Sequence, residues 1–319
     1  MAKVLITGGT GFLGSYLAEM LLAGGDEITT TYIVDPDPFL AHKGRGVHAV
    51  HLDVTDRDEV HRCLESVRPD TIYHFAGQPY VQPSWEDPAG TFRTNIDGTI
   101  NFLEWLRRNS PRTRFAFAGS GAAYGINPRQ PMDEDTPLRP SSPYASSKAA
   151  GDLLCFQYCA SFGIPTHRFR IFGTTGPGKV GDAPNDFASQ VARLERAEPP
   201  RVLKVGRTDT RRDVTDVRDS VRAMALIVDR GVPGEAYNIG SGEARPVQGI
   251  LDSLRKLARV PIEIRSEPAR VRQVDEPVIQ ADTTRLRALG WAPKIPWDRT
   301  LEDLLDHWRA QLDAAPAQP

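Results

Sequence analysis

Tyr144-Ala-Ser-Ser-Lys148 sets a phenol and an ammonium four residues apart, which on a helix is a single face. A tyrosine does acid–base work near neutrality only if its pKa falls by about 3 from about 10, a change of about 4 kcal/mol. One cation about 4 Å away contributes an interaction of that order at an effective dielectric near 20. Ser120, on a loop after the apolar run Arg114 to Ala118, could add a hydrogen bond to an oxygen that gains or loses charge. Alone, a Tyr-x-x-x-Lys pair would suit a solvated helix surface equally well. The glycine-rich segment upstream decides between the two. Thr7-Gly8-Gly9-Thr10-Gly11-Phe12-Leu13-Gly14 follows an apolar strand pattern and opens a helix pattern. Gly8, Gly11 and Gly14 permit a tight turn, close backbone approach to a pyrophosphate and close helix packing. The N–H groups about Phe12 and Leu13 supply a local positive end. A dinucleotide is the ligand this predicts. Lys148 and the charge of an oxidised nicotinamide could then together lower the tyrosine pKa.

The elements that must hold these groups alternate. Strand patterns at Lys3–Thr7, Ile28–Val34, Val47–Leu52, Thr71–Phe75, Arg114–Ala118 and Thr166–Phe172 are separated by helix patterns at 12–22, 56–67, 94–108 and 143–162. Ser142, Pro143 and Gly163 supply the cap, first position and stop of the last of these. Such alternation predicts an α/β fold, a Rossmann doubly wound parallel sheet, because parallel pairing requires crossover helices on its faces. Beyond Gly173 the glycines and prolines become dense and the strands short. A smaller α/β substrate-binding lobe is expected over 173–212 and 241–310, with helices at 248–257 and 300–310. Residues 1–172 form the dinucleotide domain, with about 213–240 returning to it; 311–319 are expected to be a disordered tail.

Asp35 stands about 20 residues past the glycine loop, where a carboxylate would hydrogen-bond the ribose diol of NAD and repel the phosphate of NADP; Tyr32 is nearly as well placed. No arginine follows closely, so NAD is preferred over NADP. Asp53 in Leu52-Asp-Val54 suits either the adenine amine or a loop cap.

With 319 residues, 40% hydrophobic and 25% charged, the chain has room for two cores and fits neither a disordered chain nor a fibre. Thirty-nine Lys and Arg against 41 Asp and Glu leave a net charge of −2, which excludes a whole-chain field for nucleic acid or anionic lipid. Any anion must be held locally. No apolar run approaches the roughly 18 residues of a membrane span, and a strand begins at Lys3 without a signal peptide. Three cysteines make no disulfide framework and suit a reducing, cytoplasmic compartment. Cys155 and Cys159 share a helix face without a ligand set around them, so no metal site is expected. His74, after a strand, is expected to be a buried rather than an acid–base histidine.

The glycine loop, Ser120, Tyr144 and Lys148, with His74-Phe-Ala-Gly-Gln78, Asn95-Ile-Asp-Gly-Thr99, Arg212-Asp-Val-Thr-Asp-Val-Arg-Asp219 and Gly290-Trp-Ala-Pro-Lys-Ile-Pro296, resemble the extended short-chain dehydrogenase/reductase superfamily in its nucleotide-sugar branch. Within that branch the chain is most similar to the GDP-mannose 4,6-dehydratases and the GDP-4-keto-6-deoxymannose reductases. Asn185-Asp-Phe-Ala-Ser-Gln190 and Leu203-Lys-Val-Gly206 look like the reductases. The resemblance implies cofactor contacts at Val54, Phe75, Ala76 and Gly77 besides the loop, Asp35, Asp53, Tyr144 and Lys148. It implies substrate contacts at Gln78, Ser84 and Asn185, with Lys204 near the base and Arg212 and Arg272 on the diphosphate. It also implies a homodimer through the helices from Thr94 and Pro143. Three positions depart from the pattern: Ala122 replaces the acid that dehydratases carry two residues before the Tyr-Gly, Gly173 replaces an asparagine, and Gln273 replaces a proline. An alanine is no general acid. The expected reaction is therefore NAD(P)H-dependent reduction of the C4 ketone of a nucleotide-linked 4-keto-6-deoxy sugar. A 4-epimerase retaining NAD is the alternative; a dehydratase or a non-catalytic nucleotide sensor fits less well.

Overall fold

A computed structural model describes residues 1–35, 46–270 and 276–314, so Arg272 and Gln273 lie outside the described residues. The chain divides into two compact units. The first comprises Met1–Phe172, Ser220–Ile239 and Asp282–Trp291; the second comprises Gly173–Asp219, Gly240–Ala281 and Ala292–Pro319.

The first unit is built on six strands, β1 (Lys3–Thr7), β2 (Glu27–Tyr32), β3 (His48–His51), β4 (Thr71–His74), β5 (Arg114–Ser120) and β6 (Thr166–Ile171), plus a seventh at Ala236–Ile239. All pair in parallel, in the order Ala236–Ile239, β6, β5, β4, β1, β2, β3. Order reverses between β1 and β4, and in such sheets ligands bind beyond the carboxyl ends at that point. The segments after β1 and β4 and the end of β5 all lie on that side.

Local chemistry sets the helix ends. Asp56 caps Arg57–Val67 by accepting from the Asp58 and Glu59 N–H groups, each at 2.9 Å. Ser142 caps Pro143–Phe162, and Gly163 ends it at φ +69°. Apolar residues from the strands and these helices, among them Leu5, Leu64, Ile72, Phe102, Phe115 and Phe117, form one core. Burying each contributes about 1.5–3 kcal/mol relative to exposure.

The described structure corrects several boundaries. The helix predicted from Thr94 is a wider π-helical turn at Arg93–Asp97 followed by an α-helix at Gly98–Asn109. β5 runs to Ser120, so this serine ends the strand and caps the 3₁₀ turn Gly121–Tyr124 instead of standing on a loop. The return to the first unit begins at Ser220, not Asp213, because Asp213 lies in the strand Arg211–Asp216 of the second unit; 282–291 also returns. Residues 311–314 end the helix Trp297–Ala314, so that part of the expected disordered tail is ordered; 315–319 lie outside the described residues.

In the second unit, Arg211–Asp216 pairs with Gly173–Thr175, Ala244–Pro246 and Val278–Ile279, while Val202–Val205 pairs with Glu263–Ser266. Its core joins Phe187 and Val191 of helix Ala183–Leu194, which was not predicted, to Leu203, Ile250, Leu254, Leu301 and Leu305.

Candidate active site

Gly8 takes φ +62°, and a side chain there would bring its Cβ within 2.9 Å of the Ala76 nitrogen. A Cβ at Gly14 would come within 2.5 Å of Gly9 Cα, and one at Gly9 within 2.6 Å of Thr30 Cγ2. Gly9 is thus as constrained as its neighbours. Its requirement comes from β2 rather than from a ligand, which motif spacing does not register. A Cβ at Gly11 meets only the Gly8 carbonyl oxygen, at 3.2 Å, so that face is open. Helix Phe12–Ala23 begins after Gly11 with no capping side chain and no acidic residue in its first turn. That start is left to backbone dipoles, as a pyrophosphate site requires. The Gly8 N–H donates to Thr31 Oγ1 at 3.2 Å.

Thr7 closes the loop against β4. Its hydroxyl accepts from the Ala76 N–H at 3.1 Å and shares a hydrogen bond of 2.8 Å with His74 Nδ1, leaving the other ring nitrogen, Nε2, turned into the core. That atom is buried without a hydrogen-bond partner, among Phe102, Phe115 and Phe117. Burial and the nearby Lys148 charge push the His74 pKa down to about 3. It is a neutral packing residue.

Asp35 is exposed after β2. Tyr32, the other candidate for the ribose position, packs edge-on against His51. Asp53 accepts from the Thr55 N–H at 2.9 Å and the Thr55 hydroxyl at 2.8 Å through the same oxygen, which is the loop cap. Val54 is buried and fills the space at Gly98. Phe75, Ala76 and Gly77 follow β4 on the ligand side, Phe75 stacking with Tyr73.

Ser120, Tyr144 and Lys148 come from the end of β5 and the first turns of helix Pro143–Phe162. Ser120 Oγ accepts from the Ala122 N–H at 3.1 Å and hydrogen-bonds Tyr144. Burial holds the Tyr144 pKa above the ordinary range, and the Ser120 bond pulls it back. Lys148 is 7% exposed; its ammonium donates to the Ala118 carbonyl at 2.9 Å and lies 5.3 Å from the centre of the Phe117 ring. Burial pushes its pKa down to about 8. The Lys148 charge is directed to Ala118, and Ser120 is the group that favours the Tyr144 phenolate.

Asn95, in the π-helical turn, is a site residue whose role the motif alone did not define. Buried, it accepts from the Gln78 N–H at 2.7 Å and donates to the Gln78 carbonyl at 3.1 Å and to Ser147 Oγ at 2.8 Å. It ties the strand-β4 loop to the catalytic helix, and Ser147 adjoins Lys148. A Cβ at Gly77 would sit 2.6 Å from Asn95 Oδ1 and 3.8 Å from Lys148 Nζ. The irregular turn that aims Asn95 has no signature in helical periodicity, although such π-turns recur at functional sites.

The predicted substrate residues are largely occupied. The Gln78 side chain donates to the Tyr80 carbonyl and Thr91 hydroxyl and accepts from the Tyr80 N–H. Ser84 is fully buried and donates to the Val81 carbonyl at 2.6 Å. In the second unit, Asn185 is buried, donates to Thr175 and Gly176, and accepts from the Trp308 indole at 3.1 Å. Lys204 is exposed and pairs with Glu267 at 2.9 Å. Arg212 donates to the carbonyls of Arg211 and Glu276. These contacts hold loops and strands together.

The uncapped glycine loop at the sheet's switch point, with a serine–tyrosine–lysine set two strands away, defines an NAD(P)-dependent enzyme of the extended short-chain dehydrogenase/reductase class. The chain belongs to the GDP-mannose 4,6-dehydratase family, whose model matches residues 5–304. It is 30% identical over 314 residues to the GDP-6-deoxy-D-mannose reductase of Pseudomonas aeruginosa, covering 97% of this chain and 98% of that one. The structure of RMD from P. aeruginosa complexed with NADPH aligns at TM-score 0.85 and 28% identity, over 98% of this chain and 100% of that one. The UDP-glucose 4-epimerase of Thermus thermophilus in complex with NAD aligns at TM-score 0.85 and 30% identity, over 96% and 98%. Among the described residues, no helix is long and apolar enough to cross a membrane.

Proposed function

We propose that the protein reduces the C4 ketone of a nucleotide-linked 4-keto-6-deoxy sugar, a GDP sugar first among these. The observation that supports this best is local: Ser120, Tyr144 and Lys148 are assembled, while position 122, beside them in the turn, is an exposed alanine. Tyr144 protonates the alkoxide forming at C4, and Ser120 donates a hydrogen bond to the same oxygen. Lys148 would hold the cofactor ribose and, with the charge of the oxidised nicotinamide, would favour the phenolate that remains. The nicotinamide, when bound, supplies the hydride. With Ala122 in place of an acid, no group in that turn performs the elimination that a dehydratase requires.

Gly8, Gly11, Phe12, Leu13 and Gly14 would hold the pyrophosphate, Asp35 the adenosine ribose, and Val54, Phe75, Ala76 and Gly77 would line the cofactor. NAD is preferred on Asp35. The second unit takes the sugar nucleotide, with Lys204 its exposed cation for the base. A homodimer is proposed through the helices from Thr94 and Pro143; Leu153, 56% exposed, and Phe156, 48% exposed, lie on the second of these. The three cysteines are free thiols, which suits a reducing compartment such as the cytoplasm.

Incubation with NADH and with NADPH against GDP-, dTDP-, UDP- and CDP-linked 4-keto sugars tests the reaction. Stoichiometric cofactor oxidation with a 4-hydroxy product supports it. Inversion of a 4-hydroxy sugar nucleotide, with no 4-keto sugar reduced, overturns it in favour of an epimerase.

A further inference from the structure

Three segments of the first unit meet at the side chain of Arg170, which is 5% exposed on β6. In the sheet, Arg170 lies opposite Gly119, the residue before Ser120, on one side and Asn238 on the other. Its Nε and Nη2 donate to the two oxygens of Asp152 at 3.1 and 2.9 Å. Its Nη1 donates to the Tyr124 hydroxyl at 3.0 Å and to the Glu134 carbonyl at 2.7 Å. Asp152 is one turn past Lys148 and two past Tyr144, on the same helix face. Tyr124 ends the 3₁₀ turn that Ser120 caps; it is fully buried, and its hydroxyl donates to Asn238 Oδ1 at 2.7 Å. One guanidinium therefore spans from the helix of the acid to the turn of its serine partner.

We propose that Arg170 is a positioning residue, fixing the separation between Ser120 and Tyr144 by tying Tyr124 to Asp152. This rests on the assignment of Tyr144 as proton donor. Arg170 touches neither Ser120 nor Tyr144, so it acts through geometry. Arg168 makes the test practicable: its Nη1 also donates to Asp152, at 2.7 Å, so loss of Arg170 does not leave that carboxylate without a cation. A loosened turn lengthens the Ser120–Tyr144 bond, and loss of that bond moves the tyrosine pKa upward, since the bond lowers it.

The experiment compares wild type, Arg170→Met, Arg170→Lys and Tyr124→Phe. With NAD bound, the Tyr144 titration is isolated as the tyrosinate difference spectrum against Tyr144→Phe; steady-state rates on the reducible sugar follow. Arg170→Met is expected to raise the Tyr144 midpoint and lower kcat on the order of tenfold to a hundredfold, with KM for cofactor within about twofold. Arg170→Lys restores part of both. Tyr124→Phe, which keeps the ring and removes only the bridging oxygen, moves both in the same direction by less, and decides the matter alone if Arg170→Met does not fold. A lowered melting temperature with unchanged Tyr144 midpoint and unchanged kcat in the folded variants overturns the proposal. The titration needs no sugar, so a wild type inactive on 4-keto sugars counts against the proposed reaction and not against Arg170.

Discussion

The two units use their polar side chains differently. In the first unit two side chains act on groups at the ligand side of the sheet, Asn95 on Gln78 and Ser120 on Tyr144, beside others such as Ser84 that only hold local turns. In the second unit, Asn185 and Arg212 spend their hydrogen bonds on neighbouring loops and strands. The lesson is that a residue type shared with a family's binding site can serve the fold first. Where the task is set by backbone, as at Gly8, residue type and role are nearly inseparable. Where it is set by a long side chain, they are not.

The sharpest break in this comparison is Tyr144→Phe. It should lower kcat by about a thousandfold, within the range for loss of a general acid, and leave cofactor affinity intact in a fluorescence titration. A variant of near-normal rate would remove the acid from the site. Next is Gly8→Ala, which meets both a left-handed backbone and the Ala76 nitrogen. We expect cofactor binding at least about tenfold weaker and a lower melting temperature. In the second unit, Asn185→Ala should cost about 1–3 kcal/mol in denaturant midpoints, because the Trp308 indole and Thr175 lose a partner. Lys204→Ala should leave stability unchanged within about 1 kcal/mol, since its ion pair is on the surface. A raised KM for the sugar nucleotide in Lys204→Ala alone would place the base at that cation; an unchanged KM would remove Lys204 from the predicted contacts.

Acid provides a separate test of the packed histidines in the first unit. Burial pushes His74 down to about 3 and His167 to about 4, from an ordinary value near 6.5. Between those values the unfolded chain binds protons that the folded one refuses, so stability rises with pH there. It is fully present above about pH 6.5 and is lost progressively as pH falls toward 4. Denaturant midpoints measured from pH 7 to pH 4 should fall accordingly, and His167→Asn should flatten the slope. For the proposed homodimer, light scattering should give a dimer for the wild type and a monomer for Leu153→Arg; a monomeric wild type would overturn that proposal.

Legibility in the sequence followed the same division. The strand–loop–helix at residues 3–23 and the helix from Pro143 were readable because caps, glycines and apolar spacing are local signals. Tyr144 and Lys148 share a helix face by a four-residue spacing that the sequence shows directly, whereas Ser120 ends a different element and meets Tyr144 only through the packing of strand and helix. The π-turn at Arg93–Asp97 was not readable, since a single widened turn at the start of a longer helical run carries no apolar spacing of its own. The Asp152–Arg170–Tyr124 contact joins residues 18 and 46 apart in sequence, and only strand pairing brings them together. The need for glycine at Gly9 has no local signal, because the atom that excludes a side chain, Thr30 Cγ2, belongs to another strand.

The most direct measurement of the central claim is hydride accounting with cofactor deuterated at nicotinamide C4 and a GDP-4-keto-6-deoxy sugar. The account predicts one deuterium at sugar C4, one equivalent of oxidised cofactor per product, and transfer about a thousandfold slower in Tyr144→Phe. A 4-keto sugar left unreduced, with no cofactor oxidised and no deuterium in the sugar, would contradict it.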